Sequence, residues 1–490
     1  MKSLAILVML ILLLHYGQAF DPLLKKGLIG GSSDDNKCFC QLEGKVDDCM
    51  CDVDTVDYFN NMKIFPRLQS LLQKDYFRYF KYNAHRPCPF WSGDSGKCKS
   101  RSCGVQSCTP DEIPPGLKPS ACSEDKNPEE HNNQVDSTLS DDVRADLQSW
   151  KDYDDSQGTF CQIDPDENCP DCEYVDLTRN PERFTGYSGD TAHRIWRAIY
   201  EENCFNPASL NSRITKKNRF SAAFFPKALE TMCLEKRAFY RAISGLHSSI
   251  TVHLTSQHPE GLTQDKKSTS LFPSKNAAEV YGPNLSLFLQ RFDPDRTGGL
   301  GPYWLKNLYF VYLLELRAIT KAAPFLQAHS FYTGNPEEDK ETQIAVKELL
   351  NLMRSFPDHF DESTMFKSGS KIEMLTLKQE FREHFHNISR VMDCVGCDKC
   401  KLWGKLQITG LGTALKILFS ADYSSSQDKE TNLADVNPMQ MYLNSSDFSA
   451  PVSDRLVLSR NEIVALMNAF GRLSTSIQQL ERFRRMLETS

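Results

Sequence analysis

Three cysteines at equal spacing, Cys394-Val-Gly-Cys397-Asp-Lys-Cys400, stand at the mouth of LWGKLQITGLGTALKILFS, a stretch that reads as helix. No other feature restricts the folding of the chain so sharply. Three sulfurs so close together must be bridged, metal-bound or held as thiols, and each choice gives the helix different neighbours. Near a helix N-terminus the positive end of the dipole favours thiolate, and Lys399 and Lys401 push the same way. Overlapping Cys-x-x-Cys pairs can cycle between dithiol and disulfide, because exchange runs through thiolate attack. A structural staple uses the same atoms. So does a zinc site, whose fourth ligand Cys169-Pro-Asp-Cys172 could supply. A thioredoxin-type centre fits poorly, because it belongs in a βαβ context and no such alternation is visible.

The compartment decides among these. The chain begins MKSLAILVMLILLLHYGQAF, with a basic Lys2, an apolar run Leu4 to Leu14, and Gly17 and Ala19 at positions suited to cleavage before Phe20. Residues 1–19 are therefore expected to be a signal peptide. The apolar run is short for a bilayer span, which takes roughly 20 residues. Secretory entry lets disulfides persist. All 17 cysteines follow the expected cut, and the odd number leaves at least one thiol or an intermolecular bond. Sequons at Asn284, Asn387 and Asn444 fit the same compartment. The net charge of -7 and the lack of a basic patch argue against nucleic acid. The end, MLETS, is not a retrieval signal of the KDEL type, so retention would depend on something other than the tail.

Composition changes along the chain. KCFCQLEGKVDDCMC carries Cys38, Cys40, Cys49 and Cys51, whose spacing suits a two-disulfide hairpin better than a zinc knuckle. PRLQSLLQKDYFRYFKYN places Leu68, Leu71, Leu72, Tyr76 and Tyr79 at helical spacing behind Pro66, which predicts a helix starting there. Residues 88–160 are polar and acidic with few apolar anchors, and are expected to form a mobile loop, with a short helix near 141–150. Cys98, Cys103, Cys108 and Cys122 lie in it. Lys99 and Arg101 between Cys98 and Cys103 would lower their thiol pKa values, although a plain staple is the simpler reading of that spacing. From Tyr174 to Phe419 the pattern is mostly helical. A last helix shows Ile463, Leu466, Met467, Phe470, Leu473, Ile477 and Leu480 on one face, behind a capping box of Ser459 and Glu462. Gly410-Leu-Gly412 starts like a dinucleotide fingerprint but ends in Leu415, with no clear strand before it.

Five long stretches carry a resemblance: YVDLTRNPERFTGYSG, IWRAIYEENCF, CLEKRAFYRAISGLH, LKNLYFVYLLELRA and NISRVMDCVGCDKCKLWGKLQITGLGTALKILF. In them the chain resembles the endoplasmic reticulum oxidoreductins, flavin-dependent thiol oxidases that reoxidise protein disulfide isomerase, over nearly the whole mature sequence. The resemblance implies a mainly α fold: one large helical domain (20–490) with a bundle core around FAD in 174–490. It implies an inner redox pair Cys397–Cys400 and a shuttle pair Cys98–Cys103. It implies bridges Cys88–Cys394, Cys204–Cys233, Cys38–Cys51 and Cys40–Cys49, and locking bridges Cys98–Cys122 and Cys103–Cys108. FAD contacts are implied at Arg183, Thr185, Tyr187, Trp196, Ser244, His247 and Arg291. Arginine suits a pyrophosphate, and aromatic rings stack on a flavin.

Two departures stand out. In GPYWLKNLYF, Trp304 occupies a position where family members often carry an arginine, so that Lys306 or another base would have to replace one phosphate contact. Cys169 and Cys172 are extra relative to the family, Cys161 lies close by, and none of the three has an assigned partner. The expectation is a monomeric oxidase of the endoplasmic reticulum lumen, with no later stretch long and apolar enough to span a membrane and with peripheral membrane association compatible with the sequence. It would take electrons from protein disulfide isomerase and give them to oxygen, with hydrogen peroxide as product. A zinc- or disulfide-stabilised luminal binding protein without oxidase activity is the alternative.

Overall fold

The computed structural model describes residues 42, 44–90, 103–117, 172–182, 190–203, 232–258, 281–366, 369–419 and 458–488. The expected signal peptide, the helix near 141–150, Cys38, Cys40, Cys98, Cys122, Cys161, Cys169, Cys204, Arg183, Thr185, Tyr187 and Asn444 lie outside the described residues.

The principal helices are α1 (Val53–Phe59), α2 (Phe65–Leu72), α3 (Asp190–Asn203), α4 (Leu234–Ser256), α5 (Leu285–Phe292), α6 (Leu300–Lys321), α7 (Pro336–Arg354), α8 (Lys371–Val391), α9 (Asp398–Phe419) and α10 (Arg460–Glu488). A bundle of α4, α6, α9 and α10 forms the centre: α4 packs on α6 and α10, and α9 packs on α10 and α6. This bears out the mainly helical reading. Helix α10 is buried on more than the expected face. Val464, Ala469, Ser474 and Ser476 are buried along with Phe470, Leu473 and Ile477. The reason is its place in the fold, since α2, α4, α6 and α9 all pack against it. Each large apolar side chain buried there contributes roughly 1.5–3 kcal/mol relative to exposure.

Close approach of the helices rests on glycine. A Cβ on Gly410 would stand 2.6 Å from the Ala465 carbonyl oxygen of α10, and one on Gly245 would stand 2.7 Å from Val311 Cγ1 of α6. Gly410 is thus a helix-crossing residue, which explains the partial dinucleotide pattern without a nucleotide. The capping box is present: the Ser459 N–H donates to Glu462 Oε2 at 2.8 Å and the Glu462 N–H to Ser459 Oγ at 3.2 Å.

One stretch differs from its sequence pattern. The helix expected from Pro66 starts earlier, at Val53, and runs through a π-helical turn, Asn60–Ile64, into α2. A proline has no N–H and its ring crowds the preceding turn, and a wide π turn relieves both problems. The helix then stops at Leu72. Tyr79–Tyr82 is a strand, β1, paired antiparallel with β2 (Glu173–Asp176). The YFKY segment has strong strand formers, and its partner comes from a segment about 90 residues away, which local helical spacing cannot reveal.

Candidate functional site

The sulfur centre is built at the junction of α8 and α9. A 3₁₀ turn, Met392–Cys394, closes α8 and Cys397 precedes α9. The Cys397 carbonyl accepts from the Lys401 N–H at 2.8 Å, and the Cys400 N–H points to Cys397 Sγ at 3.4 Å. The sulfur takes the position of a capping oxygen, so a thiolate there would be stabilised by first-turn N–H groups. Lys401 does not add its charge to the sulfurs in the simple way its position suggests. Its Nζ donates to the Ala84 carbonyl at 3.1 Å, and burial lowers its pKa.

The turn is held from behind. Asp393 is buried with Lys405 Nζ 2.6 Å from Oδ1 and Arg390 Nε 2.8 Å from Oδ2. This acidic group between two cationic side chains joins the end of α8 to the second turn of α9. It fixes the sulfur-bearing segment between them. Trp403 Nε1 donates to the Asn180 carbonyl at 2.7 Å, Arg472 pairs with the buried Glu182, and His253 Nε2 lies 3.0 Å from the Glu182 carbonyl. The segment immediately before Arg183 is thereby pinned between α4, α9 and α10.

The sulfurs are paired in an informative way. Cys88 is bridged to Cys394, as the resemblance implied. Cys103 is bridged to Cys397, with a Cα–Cα distance of 5.4 Å, and Cys400 is a thiol. Of the expected pairs, Cys397–Cys400 and Cys103–Cys108 are not bonded here, since Cys400 and Cys108 are thiols, and Cys98 lies outside the described residues. One sulfur makes one disulfide, and Cys103 has crossed to the inner pair. Cys103, Cys397, Cys400 and Val395 form one buried cluster. Cys394 and Cys397 are both oxidised and Cys172 is also disulfide-bonded, so these sulfurs are not the thiolates a zinc site requires.

Residues 103–117 are anchored, in contrast to the mobile loop expected across 88–160. Gln106 and Asn180 exchange hydrogen bonds at 2.8 and 2.9 Å, and the Cys108 N–H donates to the Tyr174 carbonyl at 2.8 Å. Pro114 and Leu117 supply the buried anchors. Cys108 is a thiol whose pKa is raised chiefly by burial. Cys49 and Cys51 are buried thiols, and burial pushes Cys51 up to about 11. Cys233 is an exposed thiol. The bridges implied for these last three involve partners outside the described residues.

A cleft enclosing about 730 Å³, including its open mouth, lies against the sulfurs. Trp196, Ile195 and Ile199 of α3, Ile243, Leu246 and Ile250 of α4, and Gln407 and Ile408 of α9 line it together with Cys397 and Cys400. Its walls are apolar except for a few groups able to hydrogen-bond. Trp196 stacks on His247 with centroids 3.5 Å apart and an interplanar angle of 12°. Tyr200 Oη lies 2.9 Å from His247 Nδ1. Burial, helped by the positive charge of Arg291, lowers the His247 pKa to about 3. The ring is therefore neutral near pH 7.

The other implied ligands sit farther out. Ser244 Oγ is buried and accepts from Asn307 Nδ2 at 2.9 Å, within the α4–α6 contact. Arg291 is exposed on α5. Trp304 lies nearby on α6, its carbonyl accepting from Ser248 Oγ at 2.8 Å. Asn284 is buried and its Oδ1 caps α5 by accepting the Leu287 N–H at 3.0 Å. Asn387 donates to Glu202 at 3.1 Å. Motif reading missed Gln407, Asp393, Lys405 and Tyr200. Gln407 had a signal: it lies seven residues after Cys400, a polar group on an otherwise apolar helix face.

No described helix is long and apolar enough to cross a membrane. Three comparisons with known proteins agree with the geometry. The chain is 47% identical over 470 residues to ERO1-like protein alpha of Bos taurus, covering 92% of each, and 45% identical over 470 residues to Ero1-like protein of Drosophila melanogaster, covering 92% of this chain and 91% of that one. Its fold is similar to that of Ero1p, described as a source of disulfide bonds for oxidative protein folding in the cell, at a TM-score of 0.54 and 26% identity, covering 89% of this chain and 98% of that one. A double cysteine-to-alanine mutant of S. cerevisiae Ero1p matches at a TM-score of 0.52 and 29% identity, covering 89% and 98%. The sequence model of Endoplasmic Reticulum Oxidoreductin 1 (ERO1) matches residues 63–480, and the chain belongs to that family.

Proposed function

We propose a route for the electrons of this thiol oxidase: from reduced protein disulfide isomerase to Cys98–Cys103, then to Cys397–Cys400, and on through FAD to oxygen. Family membership makes the chain a thiol oxidase of oxidative protein folding in the endoplasmic reticulum. The finer route rests on one observation, the Cys103–Cys397 bridge beside a Cys400 thiol that lines the cleft.

That bridge is what the first exchange would leave behind. A Cys103 thiolate attacks Cys397 Sγ in the inner disulfide, and the bond to Cys400 breaks with its electron pair going to Cys400. A Cys98 thiolate then attacks Cys103 Sγ. The Cys98–Cys103 bond forms and Cys397 leaves as thiolate, facing the Cys400 N–H. The shuttle thiols lose two electrons and two protons, and the inner pair gains them. Reduced isomerase regenerates the shuttle thiols by the same exchange, its own dithiol becoming a disulfide.

The residues present fit a flavin. The cleft has apolar walls, an aromatic Trp196 and a buried Gln407 amide without a protein partner. Bound there, FAD would accept two electrons and two protons from the inner dithiol and pass them to oxygen, giving hydrogen peroxide and restoring the inner disulfide. Trp196, His247, Ser244 and Arg291, with Arg183, Thr185 and Tyr187, are the proposed contacts, and the neutral His247 can offer a hydrogen bond without adding charge. The luminal site, peripheral membrane association, a monomeric state and glycans at Asn387 and Asn444 belong to the same proposal, whereas the third sequon residue, Asn284, is buried as the cap of α5 and has no room for a glycan. The Cys98–Cys122 and Cys103–Cys108 bridges are proposed as an off state, since either would withhold a shuttle sulfur.

Cys98→Ser tests the route. Turnover with reduced protein disulfide isomerase should stop, while a small dithiol should still bleach the flavin band without oxygen. Equal loss of both reactions would overturn the shuttle role.

A further inference from the structure

Gln407 is 1% exposed, and neither its Oε1 nor its Nε2 has a hydrogen-bond partner. Burying both ends of an amide without partners is unfavourable, and such a group calls for an explanation, which in a ligand cleft is a polar ligand or water. The side chain lines the cleft that also contains Cys397 and Cys400. Along α9, Cys400, Gly404, Gln407 and Ile408 all line it, and their spacing places them on one helix face. Gly404 admits no side chain on that face, since a Cβ there would stand 2.6 Å from Met392 Sδ. The remaining wall is mostly aliphatic, with Trp196, the Cys400 thiol and the bridged Cys397 sulfur as its other polar groups.

We infer that Gln407 recognises the polar rim of the flavin ring, donating through Nε2 and accepting through Oε1. The inference rests on the FAD reading above. An isoalloxazine has one hydrocarbon end and one end where carbonyl oxygens alternate with ring nitrogens. A primary amide is complementary to such an alternation, because it presents one donor and one acceptor side by side. Placed among aliphatic residues, it would also choose which end of the ring enters on the α9 side. A donated hydrogen bond to the rim stabilises the negative charge that the ring gains on reduction, so Gln407 would raise the flavin midpoint potential. That makes it a specificity and tuning residue on the same helix as the electron donor.

The purified full-length protein and two variants supply the test. Gln407→Met keeps the length of the side chain without its polar atoms, and Gln407→Glu keeps an acceptor but introduces a negative charge. Both should lower the flavin midpoint potential in an anaerobic redox titration and shift the flavin absorbance bands. The Met variant should release FAD more readily, with affinity about tenfold weaker, as loss of a buried hydrogen bond implies. In flavin-free protein the Met variant should unfold at an equal or higher temperature, since an orphaned amide has been removed. Unchanged potential and spectrum in both variants would overturn the inference while leaving the FAD reading intact. A lower unfolding temperature of the flavin-free Met variant would assign Gln407 a structural role and also overturn it. If the Met variant did not fold, the Glu variant's potential would decide. Wild-type protein without a flavin band would overturn the FAD reading and this inference with it.

Discussion

At the residue scale, His247 shows how surroundings set chemistry. Its half-buried ring stacks on Trp196 and touches Tyr200, and desolvation there lowers its pKa to about 3. In the unfolded chain the usual value near 6.5 returns. Below about pH 6.5 the unfolded state therefore binds a proton that the folded state refuses. Stability is lost as pH falls from about 6.5 toward 3, with a slope of at most about 1.4 kcal/mol per pH unit from this group. Above that window the ring contributes no pH dependence. His247→Gln should flatten the acid limb of an unfolding-midpoint profile by that slope and leave it unchanged between pH 7 and 8. An identical acid limb in the variant would mean that the imidazole is charged in the fold. The residue was visible in ISGLH, but its neutrality was not, because that depends on α3 and Arg291, which come from distant parts of the chain.

Among the elements, α9 carries the chemistry and the tightest packing together. Its first turn holds the sulfurs, and its midpoint crosses α10 at Gly410. Gly410→Ala would place a methyl group against Ala465 and Ala469, and overpacking of this kind costs about 1–3 kcal/mol. Chemical denaturation should register that loss, and an unchanged midpoint would show that the two helices can separate freely. Much of this was legible beforehand. Apolar spacing found α4, α6, α9 and α10, and the Ser459–Glu462 box located the start of the last helix. What failed was local spacing without tertiary context. Tyr76 and Tyr79 sit at a helical interval, yet β2 draws Tyr79–Tyr82 into a strand. Pro66 resembles a helix start, yet a π turn lets the helix pass through it. For the sulfurs, motif spacing found the reactive groups but could not say which were bonded together. Cys103 reaches Cys397 across 294 positions of sequence, and only the folded chain brings them into contact.

On the scale of the whole molecule, the Cys88–Cys394 bond closes a loop of 306 residues and joins the N-terminal part to the turn that precedes α9. Native disulfides typically contribute about 2–5 kcal/mol, in part by restricting the unfolded chain. Cys88→Ala should lower the unfolding temperature and slow exchange at Cys103, while a small dithiol should still reach the inner pair. A variant as stable and as fast as the parent would show that the bond is dispensable. The anchors also set a leash. Cys98 lies five residues before Cys103, and the chain beyond Cys103 is tied down along β2. While those ties hold, five extended residues reach about 17 Å. A partner protein must therefore bring its own dithiol within that radius, so that the length of a short peptide decides which end of the oxidase it can approach.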